Sequence, residues 1–288
     1  MIAQNNTHTI AFVADIHLLD IYADYENFEG LPVPGQSQKA KIRTMQAQLH
    51  STRLFNENYF VLKAVLDDIA QRGIKLVAFP GDYTDDGQPL NIEGLAKILK
   101  NYEQQYGISF FITTGNHDPV APYNTSGGKP DFLGKNGKDQ AIFSNVLSLP
   151  LEERNDVLVE PKLEKAGYKF ILHSLSEFGF FPKQKYSYWE TPFSSYSYQD
   201  YSFRKAEKEA TLANRTYAIN DSLEIPDASY NLPRLRLRQG AYPASGRRSG
   251  RGASERHRQK LGLNGNQNSV TGGQCVDHHH TKNWRENG

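Results

Sequence analysis

Three short apolar runs, each ending in a polar cluster, constrain this chain more than any other feature. Residues 9–14 (Thr-Ile-Ala-Phe-Val-Ala) lead to Asp15 and His17. Residues 75–79 (Lys-Leu-Val-Ala-Phe) lead to Asp82, and residues 108–114 (Ile-Ser-Phe-Phe-Ile-Thr-Thr) lead to Asn116 and His117. Runs of this length and composition read as buried strands. Two amphipathic helical patterns lie between them. Residues 54–72 carry Tyr59, Leu62, Val65, Leu66 and Ile69 at helical spacing and stop at Gly73, and residues 91–106 carry Ile92, Leu95, Ile98, Leu99 and Tyr102 before Gly107. The strand–helix–strand–helix–strand order predicts an α/β fold with parallel strands and crossover helices. Sites in such sheets form at the carboxyl ends of the strands, where all three polar clusters fall.

The residue types in those clusters suit a metal centre. Residues i and i+2 of an extended backbone point to the same side, so Asp15 and His17 are expected to grip one ion together. A mixed carboxylate and imidazole set favours Mn, Fe, Zn or Ni over Mg or Ca. Gly81 allows a sharp turn that leaves Asp82 at the strand end, where its two oxygens suit a bridge between two cations. Asn116 offers a neutral oxygen ligand, and His117 offers a general acid or a hydrogen-bond donor to developing negative charge. Each cluster also has a plainer reading as a turn. For Asp85 and Asp86, which follow in the same loop, an acidic turn is the expectation.

Taken in order, about 65 and about 35 residues apart, the three clusters fit successive crossover units. Asp15-Ile16-His17, Gly81-Asp82 and Gly115-Asn116-His117-Asp118 resemble the first three motifs of the calcineurin-like metallophosphoesterase superfamily. The resemblance covers about residues 9–118. It implies a metallophosphoesterase-type sandwich of two β-sheets flanked by helices, and phosphoester hydrolysis with two divalent ions. Asp15 and His17 would hold the first ion, Asp82 would bridge the pair, Asn116 would hold the second, and His117 would stand beside the scissile phosphate. Two such ions, about 3.5 Å apart, acidify a bridging water and clamp phosphate oxygens.

The family pattern also asks for a later histidine and a Gly-His-x-His pair, which this sequence lacks after Asp118. His173 follows the apolar run Phe170-Ile171-Leu172 and is a candidate strand-end ligand. His257 sits between Arg256 and Arg258, and His278, His279 and His280 form a short histidine tract. The fold is therefore expected to be incomplete in this chain, with exposed strand edges. The rival reading is a catalytically impaired or pseudoenzyme form that acts as a binding protein.

Residues 20–53 and 119–150, rich in polar residues, Gly and Pro, are expected to be loops, with a helix and a strand between 151 and 172. Residues 173–231 are dense in aromatics, including Tyr186, Tyr188, Trp189, Phe193, Tyr196, Tyr198, Tyr201 and Phe203, with a helical stretch near 203–214. This stretch is expected to elaborate the site, with the aromatic residues of 186–203 lining the approach of substrate. It completes a phosphoesterase domain over residues 1–231.

From about residue 232 the composition changes. Residues 233–288 hold 11 Lys and Arg against 3 Asp and Glu, Arg replaces Lys as the dominant cation, and periodic apolar segments vanish. Two readings compete for this basic tail: a frame-shifted translation of the true C-terminal half, and a disordered segment that contacts nucleic acid through Arg248-Ser249-Gly250-Arg251-Gly252. Over all 288 residues the net charge is only +1, which gives no chain-wide case for an acidic partner. The single cysteine, Cys275, excludes an internal disulfide framework. No apolar run approaches the roughly 20 residues of a membrane span, and the polar start Met1–His8 shows no signal peptide. The expectation is a cytoplasmic protein with a phosphoester substrate of unspecified class.

Overall fold

A computed structural model describes residues 9–118, 123–220, 223–226 and 234–235, all within a compact unit spanning Met1–Pro243. In chain order its strands and helices are β1 (Ile10–Phe12), β2 (Leu31–Pro32), β3 (Lys39–Ala40), α1 (Met45–Leu49), α2 (Phe55–Gln71), β4 (Leu76–Phe79), α3 (Pro89–Tyr106) and β5 (Ser109–Ile112). These are followed by β6 (Gly128–Leu133), β7 (Asp139–Phe143), β8 (Leu158–Val159), α4 (Tyr168–Ser174), β9 (Tyr186–Tyr188), α5 (Phe203–Glu209), β10 (Thr216–Asn220), β11 (Leu223–Pro226) and β12 (Arg234–Leu235). The architecture is mixed α/β. Among the described residues, the strands form a parallel sheet β1-β4-β5, a mixed sheet β6-β7-β8 and three two-stranded pairs.

The parallel sheet and its two crossover helices follow the pattern expected of the apolar runs. Leu62, Leu66 and Ile69 of α2 and Ile92, Leu95 and Leu99 of α3 are buried against Val77 and Phe79 of β4 and Phe110 and Ile112 of β5. Burial of aliphatic side chains at this spacing, worth about 1.5–3 kcal/mol each, is what makes the helices stable. Both helices end on a glycine in the left-handed region. Gly73 has φ +68°, with Gly73 N–H donating to Ala70 O and Ile74 N–H to Ile69 O. Gly107 has φ +64°, its N–H donating to Glu103 O. α3 begins two residues earlier than its apolar stripe because Pro89 occupies a first-turn position, where no N–H is needed. Among the described residues β1 is an edge strand of this sheet, with Ile10 and Phe12 exposed.

The two segments expected to be loops fold against each other instead. Residues 119–150 contain the β6–β7 hairpin, and 20–53 contain β2, β3 and α1. Pro130 disguises β6 in the sequence, since a proline removes a ladder donor; the register shifts between Lys129 and Phe132, so Pro130 sits at the irregularity. Phe132 and Ile142 of the hairpin bury Ala23, Tyr25 and Phe28 of the earlier segment. Arg43 clamps Asp131 with two bonds of 2.6 Å, and Thr44 N–H donates to Asp131 O. Neither segment has an apolar face of its own, so only their pairing reveals the structure.

Phe170-Ile171-Leu172 is part of α4, not a strand. The aromatic stretch forms a small separate core. Trp189, Tyr186, Tyr188 and Tyr196 pack with Ala206 and Ala210 against Phe111 and Phe181. Trp189 has no exposure and donates its Nε1–H to Gly179 O, while Tyr196 donates its hydroxyl to Trp189 O. These two buried side chains pack α5 against Phe111 of β5. Beyond residue 231, Arg234 and Leu235 pair with β9 in antiparallel register. The rest of the basic tail, with His257, the His278–His280 tract and residues 248–252, lies outside the described residues. No helix among the described residues is long and apolar enough to cross a membrane.

Candidate metal centre

The three polar clusters meet at the carboxyl ends of β1, β4 and β5. The register is kept beyond the strands: Val13 N–H donates to Ala78 O, Thr113 N–H to Phe79 O, His17 N–H to Asp82 O at 2.9 Å and Leu18 N–H to Tyr83 O at 3.1 Å. The loops after β1 and β4 thus run side by side for several residues past the sheet.

Within those loops the backbone is not extended. Asp15, His17 and Asp82 all lie in the left-handed region, at φ 55°, 44° and 51°. The pairing of Asp15 with His17 therefore arises from two left-handed residues, not from the alternation of a strand. Such conformations cost on the order of 1–3 kcal/mol each outside glycine and cluster at functional sites. They bring one ligand atom from each of Asp15, His17 and Asp82 within 4.8 Å of one another, the one such group among the described residues.

Two glycines permit this convergence. A Cβ on Gly81, itself at φ +120°, would stand 2.8 Å from Gly115 Cα. A Cβ on Gly115 would stand 2.3 Å from Asp82 Oδ1. The second and third loops therefore touch backbone to backbone. Asp82 Oδ1 accepts the His117 N–H at 2.7 Å. Asp118 ties the same two loops from beneath, accepting from Gly115 N–H at 2.8 Å, Thr84 N–H at 3.1 Å, Tyr83 N–H at 3.3 Å and the Thr84 hydroxyl at 3.0 Å. Burial pushes the Asp118 carboxyl up to about 6, against these donors, which favour the charged form. Asn116 is exposed in the turn between Gly115 and His117.

The site suits a cation on three further grounds. His17 Nδ1 is buried and has no hydrogen-bond partner, an omission that usually has a reason. Burial, with help from Arg53 and His117, holds the His17 imidazole below its ordinary value despite Asp82 and Asp85. The neutral ring that results is the form that ligates metal. Three atoms within 4.8 Å of one another lie at most about 2.8 Å from a common centre, so the set closes on an ion at about 2.1 Å with a shift of less than about 1 Å per ligand.

His117 packs edge-on to His17, ring centroids 4.8 Å apart. A charged network surrounds it. Arg53 Nη1 donates to Asp85 Oδ1 at 2.5 Å, and its Nη2 stands 3.1 and 3.0 Å from Nδ1 and Nε2 of His117. Lys129 Nζ lies 2.5 Å from Asp86 Oδ2 and 3.3 Å from Asp85 Oδ2, and Asp86 Oδ1 lies 3.3 Å from His117 Nδ1. Asp85 is fully buried. Asp85 and Asp86 are thus not a solvated acidic turn but the counter-charges of this network. Arg53 gave no sequence signal, since it lies in a segment without periodicity. Lys129 lay in the concealed hairpin. His173, on α4, is exposed and lies outside the three-residue ligand group.

The model of the family described as calcineurin-like phosphoesterase matches residues 8–209, which contain every residue of this site. The chain belongs to the calcineurin-like phosphoesterase family. Comparison with curated proteins returns no match. Membership in this family of metal-dependent phosphoesterases accords with the cluster of Asp15, His17 and Asp82, and with the mixed α/β fold around it.

Proposed function

We propose that this calcineurin-like phosphoesterase hydrolyses phosphoesters with two divalent cations, Mn, Fe or Zn by the mixed character of its ligands. The observation that carries the reading is the convergence of Asp15, His17 and Asp82, with His17 Nδ1 buried and without a hydrogen-bond partner. In this reading Asp15 and His17 hold the first ion, Asp82 serves both, and Asn116 adds a neutral oxygen to the second. Bound there, the cations supply an acidified water and positive charge against the phosphoryl oxygens. His117, held by the bond from its N–H to Asp82 Oδ1, acts as general acid or hydrogen-bond donor toward that phosphoryl group. The phosphoesterase unit is proposed to span residues 1–231.

A second reading, a catalytically impaired binding protein holding one ion, is favoured by one observation: the described residues contain a single three-residue group. Metal content separates the two. Two tightly held ions per chain, with Mn-dependent hydrolysis of p-nitrophenyl phosphate or bis(p-nitrophenyl) phosphate, support the enzyme. One ion and no turnover on either compound support the binding protein.

A further inference from the structure

Arg53 reaches the metal centre from outside all three motif loops. It sits just before α2, 64 residues from His117 in sequence, yet its guanidinium touches that imidazole. Buried Asp85 fixes one arm at 2.5 Å, while about a quarter of the side chain, 23%, remains exposed. The group is held on one side and open on the other.

Arg53 Nη1 is the one hydrogen-bond donor to the Asp85 side chain among the described residues, but charge balance does not account for the rest of its guanidinium. Lys129 already faces both Asp85 and Asp86, at 3.3 and 2.5 Å, and Lys165 adds a contact to Asp86 at 3.8 Å. Arg53, Lys129 and Lys165 thus set three positive charges against the two carboxylates. A guanidinium has five N–H donors in a planar fork, and the partners seen here leave some of them unspent. A guanidinium with unspent donors, oriented by a buried carboxylate and set against the His117 imidazole, matches the oxygens of a phosphate.

We propose that Arg53 is a substrate-binding residue that grips a terminal oxygen of the phosphoryl group held beside His117. The inference rests on the phosphoesterase reading and adds to it the residue that recognises the anion. Arg53 turns from His117 to the phosphate when substrate enters, and Asp85 keeps the fork in place.

The test uses the full chain as wild type, Arg53→Ala and Arg53→Lys, titrated calorimetrically with inorganic phosphate in Mn-loaded and metal-free forms, with bound Mn measured alongside. Arg53→Ala is expected to weaken phosphate binding by about 10- to 100-fold while retaining wild-type Mn content. Arg53→Lys is expected to recover only part of that loss, because an ammonium lacks the fork. Unchanged phosphate affinity in Arg53→Ala overturns the inference. If Arg53→Ala fails to fold, a folded Arg53→Lys that binds phosphate as tightly as wild type overturns it equally. A wild type that holds no Mn refutes the phosphoesterase reading instead. In that case, phosphate binding by the metal-free chain decides Arg53: weaker in Arg53→Ala supports it, equal overturns it.

Discussion

Asp82 accepts the backbone N–H of His117 through Oδ1 at 2.7 Å, so the residue proposed to share two ions also fixes the residue proposed to face the phosphate. The bond comes from the main chain, and the His117 side chain is free of that duty. Replacing His117 by Ala should leave Mn bound and lower kcat by about 10²–10⁴ on any phosphoester the protein hydrolyses. Metal analysis beside steady-state kinetics checks it. Loss of Mn from this variant would mean that His117 is a ligand.

Gly115→Ala tests the backbone contact of the second and third loops. The added Cβ would lie 2.3 Å from Asp82 Oδ1 and 2.4 Å from Asp82 N, so Asp82 has to move. The expected outcome is a loss of stability of about 1–3 kcal/mol together with a drop in Mn affinity. Urea unfolding and Mn titration read the two effects separately. A variant with wild-type values in both would show that the loops are not in contact in solution.

Asp86 gives the pH dependence. Burial raises its pKa, but Lys129, Lys165 and the bond from His117 outweigh that and lower it to about 2. A carboxyl depressed in the folded state stabilises above its unfolded value near 3.8, and that stabilisation is lost as pH falls toward 2. Asp86→Asn should therefore be less stable than wild type by roughly 2 kcal/mol at pH 7, with the gap narrowing below about pH 4. Urea unfolding of both proteins across this range checks it, and a gap that stays constant would refute it.

Trp189→Ala should act on stability and not on substrate. The indole is fully buried and bonded to Gly179 O, so its removal is expected to cost about 3–5 kcal/mol. Below the melting transition of the variant, KM should match wild type. A raised KM with unchanged stability would return the aromatic stretch to the substrate path.

The sequence disclosed those parts of the molecule whose residues carry their own periodicity. The stripes of α2 and α3 and the three strand runs could be read because each segment has one apolar face and one destination. Asp15, His17 and Asp82 could be found because polar groups at strand ends lie where such sheets gather their ligands. Their left-handed backbone could not, since nothing but the hydrogen bonds between loops imposes it. The β6–β7 hairpin and the segment around Tyr25 and Phe28 stayed hidden because each completes the other. Arg53 stayed hidden for a related reason: its partners Asp85 and His117 are 32 and 64 residues away, and no local pattern announces such a meeting.

The glycine contact between Gly81 and Gly115 has an evolutionary consequence. With no side chain between the two loops, the floor of the centre has no adjustable part: a substitution at Gly115 displaces Asp82, and one at Gly81 displaces Gly115. Diversification toward new substrates must proceed at the rim, where a side chain such as Lys165, 44% exposed, can be exchanged without disturbing the floor. Homologues of this chain should therefore drift apart in what they accept while their central loops remain nearly superimposable.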